Sequence, residues 1–374
     1  MKRVITIYTG IIMHKQTLLF LHIPKTAGMT FRRVLEKIIG IERTVEILCP
    51  VSTYTFRPAY QDPEISVEEF RQHPMNIQSK IRLMEGHFRY GVHNFINTSC
   101  QYVTFLRDPI DRFVSNYYYQ VGKDWGVVHA RVKKEFKDFD DYMEHGIERG
   151  HFHPSPLTRW LCDMDIVSDK TPPAETLKMA LNNIERDFLW VGICESFDES
   201  MLILKKKMNW NHSPVYSKEN TTKKRPGRNE VSQKTRDLIK NVHSHDYILF
   251  DRMREQLQLD ISGYGADLTK DLAHFREMCS LFQKSRGFAD SGDDSSAAEV
   301  LIEGLKLEPH SPDFLYDLSS LKAKSGQYAE ALTLLSKGLH YYPNNTRMMR
   351  KCVEIFTALG QKEDAEYFSA QANA

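Results

Sequence analysis

The stretch "LLFLHIPKTAGMTFRRVLEK", residues 18–37, limits the possible folds more than any other part of the chain. Five of its first six residues are apolar, and so short and dense an apolar run reads as a strand covered on both faces, the kind found in parallel sheets. Pro24 closes the run, having no N–H to give to a ladder. A basic helical pattern begins near Gly28. Tyr102–Leu106 and Phe188–Ile193 follow the same order of apolar run, polar turn and helical pattern, and Ile81–Met84 is a further candidate strand. This alternation predicts a three-layer α/β domain built on a parallel sheet, with a P-loop-like first turn. Ser66 and Glu69 have capping-box spacing, so a short helix is expected over 67–72.

At 374 residues the chain exceeds one ordinary hydrophobic core, and two domains are expected. Lysine plus arginine less aspartate plus glutamate is 50 − 49 = +1, which excludes the overall basic excess that would point to nucleic acid or an anionic membrane. Any anion site must be local. Cys49, Cys100, Cys162, Cys194, Cys279 and Cys352 are scattered without CxxC spacing, so they read as reduced thiols in a cytoplasmic compartment. The apolar stretch "VITIYTGIIM" has about ten residues, half of what a spanning helix needs, and no membrane span is expected.

The end of the chain follows a period. Gly292, Gly326 and Gly360 are 34 residues apart (326 − 292 and 360 − 326), as are Ala297, Ala331 and Ala365. Pro309 and Pro343 keep the same step, and so do Leu301 and Leu335. The pattern resembles the tetratricopeptide repeat family, whose helix pairs need small residues where two helices cross. The resemblance covers three repeats, the first of them degenerate. It implies an all-α repeat domain over 275–374 that offers a surface to a protein partner, following a first domain over 1–265. Because such repeats stack mainly on themselves, removal of 275–374 is expected to leave ligand binding by the first domain intact.

A strand that hands over to a helix at Gly28 presents backbone N–H groups suited to phosphate or sulfate. Lys25 adds a point charge, Thr26 and Thr30 add hydroxyls, and Gly28 allows close approach. A Walker A loop places its lysine after the second glycine, whereas Lys25 precedes the only glycine here, which argues against a kinase or NTPase. In "QYVTFLRDPIDRFVSNYYYQ" a buried strand delivers Arg107 to its carboxyl end, where ligands of open α/β sheets collect. Asp108 is placed to cap the next helix and Pro109 suits its first position. Arg107 and Ser115 can converge on one anion. Among candidate bases, His87 follows a strand at the same edge and has a suitable pKa, Glu85 lies two residues earlier, His22 reads as a core histidine and His93 as structural or acceptor-facing.

Five blocks, "HIPKTAGMTF", "EGHFRYGVH", "VTFLRDPIDRFVSNYYYQ", "FLWVGICESFDESMLILKKKM" and "ENTTKKRPGRNEVSQKT", resemble in content and order the carbohydrate sulfotransferase superfamily over residues 17–258, nearest its uronyl and heparan sulfate 2-O-sulfotransferase branch. The resemblance implies in-line sulfuryl transfer from 3′-phosphoadenosine 5′-phosphosulfate (PAPS) to a carbohydrate hydroxyl, with no metal. Lys25, Thr26, Ala27, Gly28, Thr30 and Phe31 inherit the 5′-phosphosulfate, Arg107 and Ser115 the 3′-phosphate, and Thr221, Thr222 and Lys223 a loop over the nucleotide. His87 inherits the role of general base with Lys25 on the leaving oxygen, and Glu85 is the alternative base. "HFHPSPLTRWLCD" resembles an acceptor-cleft segment and nominates His153, Arg159 and Trp160. The absence of an anchor favours a glycan precursor, lipid-linked sugar or small glycoside as acceptor. An inactive sulfotransferase-like scaffold that binds partners through its repeats is the competing reading.

Overall fold

The structure is a computed structural model and describes residues 16–48, 55–58, 65–72, 80–122, 127–163, 167–168, 170–217 and 226–373. The strands are β1 (Thr17–Leu21), β2 (Thr44–Leu48), β3 (Thr55–Pro58), β4 (Ile65–Ser66), β5 (Leu83–Gly86), β6 (Cys100–Leu106) and β7 (Phe188–Ile193). They form one sheet in the order β4-β3-β2-β5-β1-β6-β7. The five strands from β2 to β7 are mutually parallel, and β3 and β4 continue the sheet antiparallel. β1 is central because all five of its residues are apolar or paired and buried. The chain leaves β1 towards β2 on one side and later crosses to β6 on the other, so the carboxyl end of β1 lies at the point where strand order reverses. The expected α/β fold with a parallel sheet is therefore present. β2, β3 and β4 (TVEIL, TFRP and IS), at the sheet's outer side, lack the uninterrupted apolar run that marks β1 in the sequence.

Helix α1 (Gly28–Ile39) follows β1 and buries Phe31, Val34 and Leu35. The Phe31 ring meets Phe20 and Phe105 edge-on, with centroids 4.8 and 5.0 Å away, so its side chain is core and does not face the loop. Helix α2 (Pro109–Val121) follows β6 with Asp108 at its N-cap and Pro109 first, as the sequence implied. Three more helices matter to the site: α3 (Pro156–Trp160), α4 (Phe197–Lys207) and α5 (Ser244–Ser262). The capping box at Ser66 forms, with Glu69 N donating to Ser66 Oγ at 3.2 Å and Ser66 N donating to Glu69 at 2.6 Å.

Six successive helices complete the chain: α6 (Leu268–Asp290), α7 (Asp294–Leu307), α8 (Pro312–Lys324), α9 (Tyr328–Tyr341), α10 (Thr346–Ala358) and α11 (Lys362–Asn373), each packed on the next. The 34-residue step has a backbone cause. Gly292, Gly326 and Gly360 occupy the same turn of three helix pairs with φ of 84°, 78° and 73°, a conformation that side chains resist. A second pair of positions keeps the step and escaped the sequence reading. A Cβ on Gly304 would lie 2.0 Å from the Phe314 ring, and one on Gly338 would lie 2.4 Å from Met348. α6 runs through the expected boundary at 275, and Phe275 is buried in the same cluster as the sheet.

Gly304→Ala should cost about 1–3 kcal/mol through overpacking against Phe314. Gly287→Ala, where an added methyl meets nothing within 4 Å, should instead leave stability unchanged or raise it by up to about 1 kcal/mol from helix propensity. Urea unfolding of the two variants measures both.

Candidate active site

Residues 22–27 join β1 to α1 in an unusual path. Lys25 and Ala27 adopt φ of 70° and 62°, the left-handed region that costs a residue with a side chain about 1 kcal/mol or more. The surrounding structure holds them there through the loop's carbonyls. His87 Nδ1 lies 2.7 Å from the His22 carbonyl, Arg112 Nε donates to Pro24 at 3.2 Å, and Arg107 Nη1 donates to Lys25 at 3.3 Å. Thr26 Oγ1 donates to Ile23 at 2.9 Å. Four consecutive carbonyls are thus engaged by side chains from β5, β6 and α2 and from the loop itself. Ala27 at the N-cap gives α1 no side-chain cap. Lys25 Nζ sits 3.7 Å above the Tyr119 ring.

A carbonyl only accepts, so His87 carries its proton on Nδ1 and presents the Nε2 lone pair. Its ring packs on His22 with centroids 4.3 Å apart. The His87 side chain is exposed at the sheet's edge, yet the protein packed around it lowers its pKa, the bond to His22 partly restores it, and Arg32 lowers it again. His22 is 5% exposed and stacks on Phe20, and burial, aided by His87, Arg32 and Lys25, pushes its pKa down to about 2. It is the core histidine that the sequence implied. Gly28 serves this histidine: a Cβ there would lie 1.9 Å from the His22 ring. Glu85 is 0% exposed and pairs with Arg32 of α1 at 3.2 Å, and the same guanidinium meets Glu36 at 2.8 Å. His93 is structural, its Nδ1 lying 2.8 Å from the Tyr102 hydroxyl.

Across the loop, Arg107 is half-buried and Ser115 is 5% exposed on α2. Asp108 caps α2 through Ile110 N at 2.9 Å and Asp111 N at 3.2 Å, and its other oxygen meets Arg228 at 2.7 Å. Arg228 is thereby held at the residue next to Arg107; Thr221, Thr222 and Lys223 lie outside the described residues. Thr26 and Thr30 are largely buried.

The segment nominated for the acceptor is placed otherwise than expected. Arg159 is 7% exposed and spends its guanidinium on the carbonyls of Ser168 and Thr171, both at 3.0 Å. It braces a loop instead of facing an open cleft, a role that the spacing of one arginine cannot reveal. Trp160 packs partly buried against the sheet's core, and His153 is exposed. α3 is pinned from within by Asp246 of α5, which accepts from Leu157 N at 2.9 Å and Thr158 N at 3.0 Å. Burial pushes the Asp246 carboxyl up to about 7, against those two bonds and the nearby Arg112.

A parallel sheet with an uncapped, lysine-bearing turn at its switch point and an arginine at the next strand end is the frame of a group-transferring enzyme that handles an anionic donor. A family model for galactose-3-O-sulfotransferases matches residues 12–335. The protein is a carbohydrate sulfotransferase, and the chain belongs to the galactose-3-O-sulfotransferase family. The match reaches into α9, beyond the boundary expected between the domains. No curated protein matches the chain in sequence. No helix among the described residues is long and apolar enough to cross a membrane, and no cluster of histidine, cysteine or acidic side chains among them could hold a metal.

The folded state refuses a proton on His22 that the unfolded chain accepts below pH 6.5, so stability falls as pH falls through that value. Between pH 7.5 and 5 this single group should cost about 2 kcal/mol. Urea unfolding at both values should show a loss smaller by that amount in His22→Gln than in the parent, whatever the substitution does to absolute stability.

Proposed function

We propose that the protein transfers a sulfuryl group from PAPS to a carbohydrate hydroxyl at the carboxyl edge of the sheet. The observation that carries this is the β1–α1 turn, whose carbonyls are tied back by His87, Arg107 and Arg112 while the N–H groups of the first turn of α1 remain uncapped. Family membership implies PAPS as the sulfate donor, and the residues present fit it. Lys25 to Thr30 offer backbone donors and an ammonium for the 5′-phosphosulfate. Arg107 uses one of its five N–H groups internally, which leaves donors for the 3′-phosphate. Ser115 on α2 and Arg228, paired with the neighbouring Asp108, are further candidates for that phosphate. Phe31 enters this reading through its backbone only.

In-line transfer breaks the bond from sulfur to the donor's phosphate oxygen and forms one to the acceptor oxygen, whose proton must leave. His87 suits the task of taking it. It is held neutral by its surroundings, its tautomer is fixed by the His22 carbonyl, and its Nε2 is the accepting atom. Glu85 is buried against Arg32 and suits the role of holding α1 to β5. Lys25 lies beside the loop where negative charge develops on the leaving oxygen.

The family's name favours the 3-hydroxyl of a galactose unit as acceptor. The order of motifs supports a second acceptor, the 2-hydroxyl of a uronic acid unit. The 34-residue repeat with its three left-handed glycines favours a tetratricopeptide-like C-terminal region, and the free thiols at Cys100, Cys162, Cys194, Cys279 and Cys352 favour a reducing, cytoplasmic setting. A scaffold without activity fits less well, because His87, Lys25 and Arg107 converge on one loop.

The donor is tested by thermal shift. 3′-phosphoadenosine 5′-phosphate without metal should raise the melting temperature, and ATP with Mg²⁺ should not. Lys25→Ala and Arg107→Ala should weaken that binding in calorimetric titration, and unchanged affinity in both removes the donor-site assignment. His87→Ala should bind the bisphosphate like the parent yet lose turnover by about 10²–10⁴-fold. A sulfate-transfer assay on galactosides and uronic-acid glycans measures it; parental turnover in that variant with a dead Glu85→Gln would assign the base to Glu85.

A further inference from the structure

α1 is gripped at both ends. Its first turn carries the candidate donor loop, and its last turn, at Lys37 about 14 Å away along the axis, is wired to the C-terminal helices. Lys37 Nζ donates to the Val215 carbonyl at 2.7 Å, pairs with Asp313 of α8 at 3.1 Å and lies 4.4 Å from the centre of the Phe282 ring of α6. Asp313 is 4% exposed and also receives Arg347 of α10 at 3.1 Å, while the other arm of that arginine meets Asp317 at 3.0 Å. Just past α1, Glu42 accepts from Thr346 at 2.6 Å and pairs with Arg350. Gly40 turns the chain there with φ of 96°, directly against the Thr346 side chain. Ser213 N, two residues before Val215, donates to Glu308 at 2.9 Å.

These contacts are unlike those of a module tethered by a linker. A half-buried ammonium and a buried carboxylate hold each other only while both elements stay in register, since separating them leaves the Asp313 carboxylate buried without this partner. A helix transmits a displacement along its axis because its backbone bonds keep it stiff, and the loop carbonyls bound to His87, Arg107 and Arg112 give the other end a reference.

We propose that Lys37 and Asp313 are positioning residues of the donor site, through which the C-terminal helices set the place of the first turn of α1 relative to Lys25 and Arg107. This rests on the reading of the β1–α1 turn as the donor loop. It reverses the expectation that residues 275–374 can be removed without loss of donor binding, since that deletion takes Asp313 and the Phe282 contact with it. The C-terminal helices then belong to the catalytic unit, in keeping with a family match that runs through α8.

The experiment uses the full chain and 3′-phosphoadenosine 5′-phosphate. Asp313→Asn and Lys37→Met should weaken its binding about tenfold in calorimetric titration, the scale of coupling carried through packed elements, and amide exchange at residues 26–30 should quicken. Glu42→Gln, at the part-buried rim of the same seam, keeps the question answerable should both buried variants fail to fold, and should weaken binding about threefold. Leu335→Ala, on α9 in the apolar cluster shared with α8 and α10 and outside the polar contacts of the seam, should lower the melting temperature without changing affinity. Binding by the parent with parental affinity in the folded seam variants overturns the proposal alone, as does an equal loss in Leu335→Ala, which would mark the effect as general destabilisation. No binding by the parent overturns the donor-loop reading and this proposal with it.

Discussion

Everything about the candidate site depends on how the carbonyls between β1 and α1 are satisfied. A turn with two left-handed residues and no side-chain cap would not persist by its own propensity. It persists because His22, Pro24 and Lys25 each give their oxygen to a side chain fixed elsewhere and Ile23 gives its own to Thr26 within the loop. Turning the carbonyls inward leaves the amides of the following helix as the polar groups able to meet an anion. Three of the four donors are His87, Arg107 and Arg112, two of which are also candidate site residues, so one set of bonds builds the loop and places those candidates around it.

Burial then divides labour among groups of like charge. His22 and His87 touch, yet His22 is enclosed and far below the usual histidine range, while His87 keeps a free ring nitrogen towards the surface. Glu85 lies on the same strand, but its partner is Arg32, and together they fasten α1 to the sheet. Behind them Asp246 caps the short helix α3 from inside the protein and Arg159 braces the following loop. Much of the charge that looks available for an acceptor in the sequence is thereby spent on architecture.

The class of fold and the location of the site were legible because they rest on short-range signals. An apolar run, Pro24 and a helical pattern within 20 residues specify strand, turn and helix without reference to the rest of the chain, and Asp108–Pro109 specify the start of α2 in the same way. The 34-residue step was readable because a left-handed turn demands glycine at Gly292, Gly326 and Gly360. The tight crossings of Gly304 on Phe314 and Gly338 on Met348 carry the same period. They escaped notice because their partners, one aromatic and one thioether, share no residue type.

What the sequence determined by itself was therefore the local grammar: which segments become buried strands, where a helix starts, which turn could grip an anion and where a repeat returns. Tertiary structure alone decided which charges face each other. Arg159 became a brace, Glu85 a partner of Arg32, Gly28 a space for His22, and Lys37 a half-buried tie to a residue 276 positions further on (313 − 37). The reason is physical. Backbone preferences and apolar periodicity act within a few residues, whereas a lysine or glutamate has no intrinsic partner, and its role follows from whichever opposite charge the packing of distant elements brings within about 4 Å.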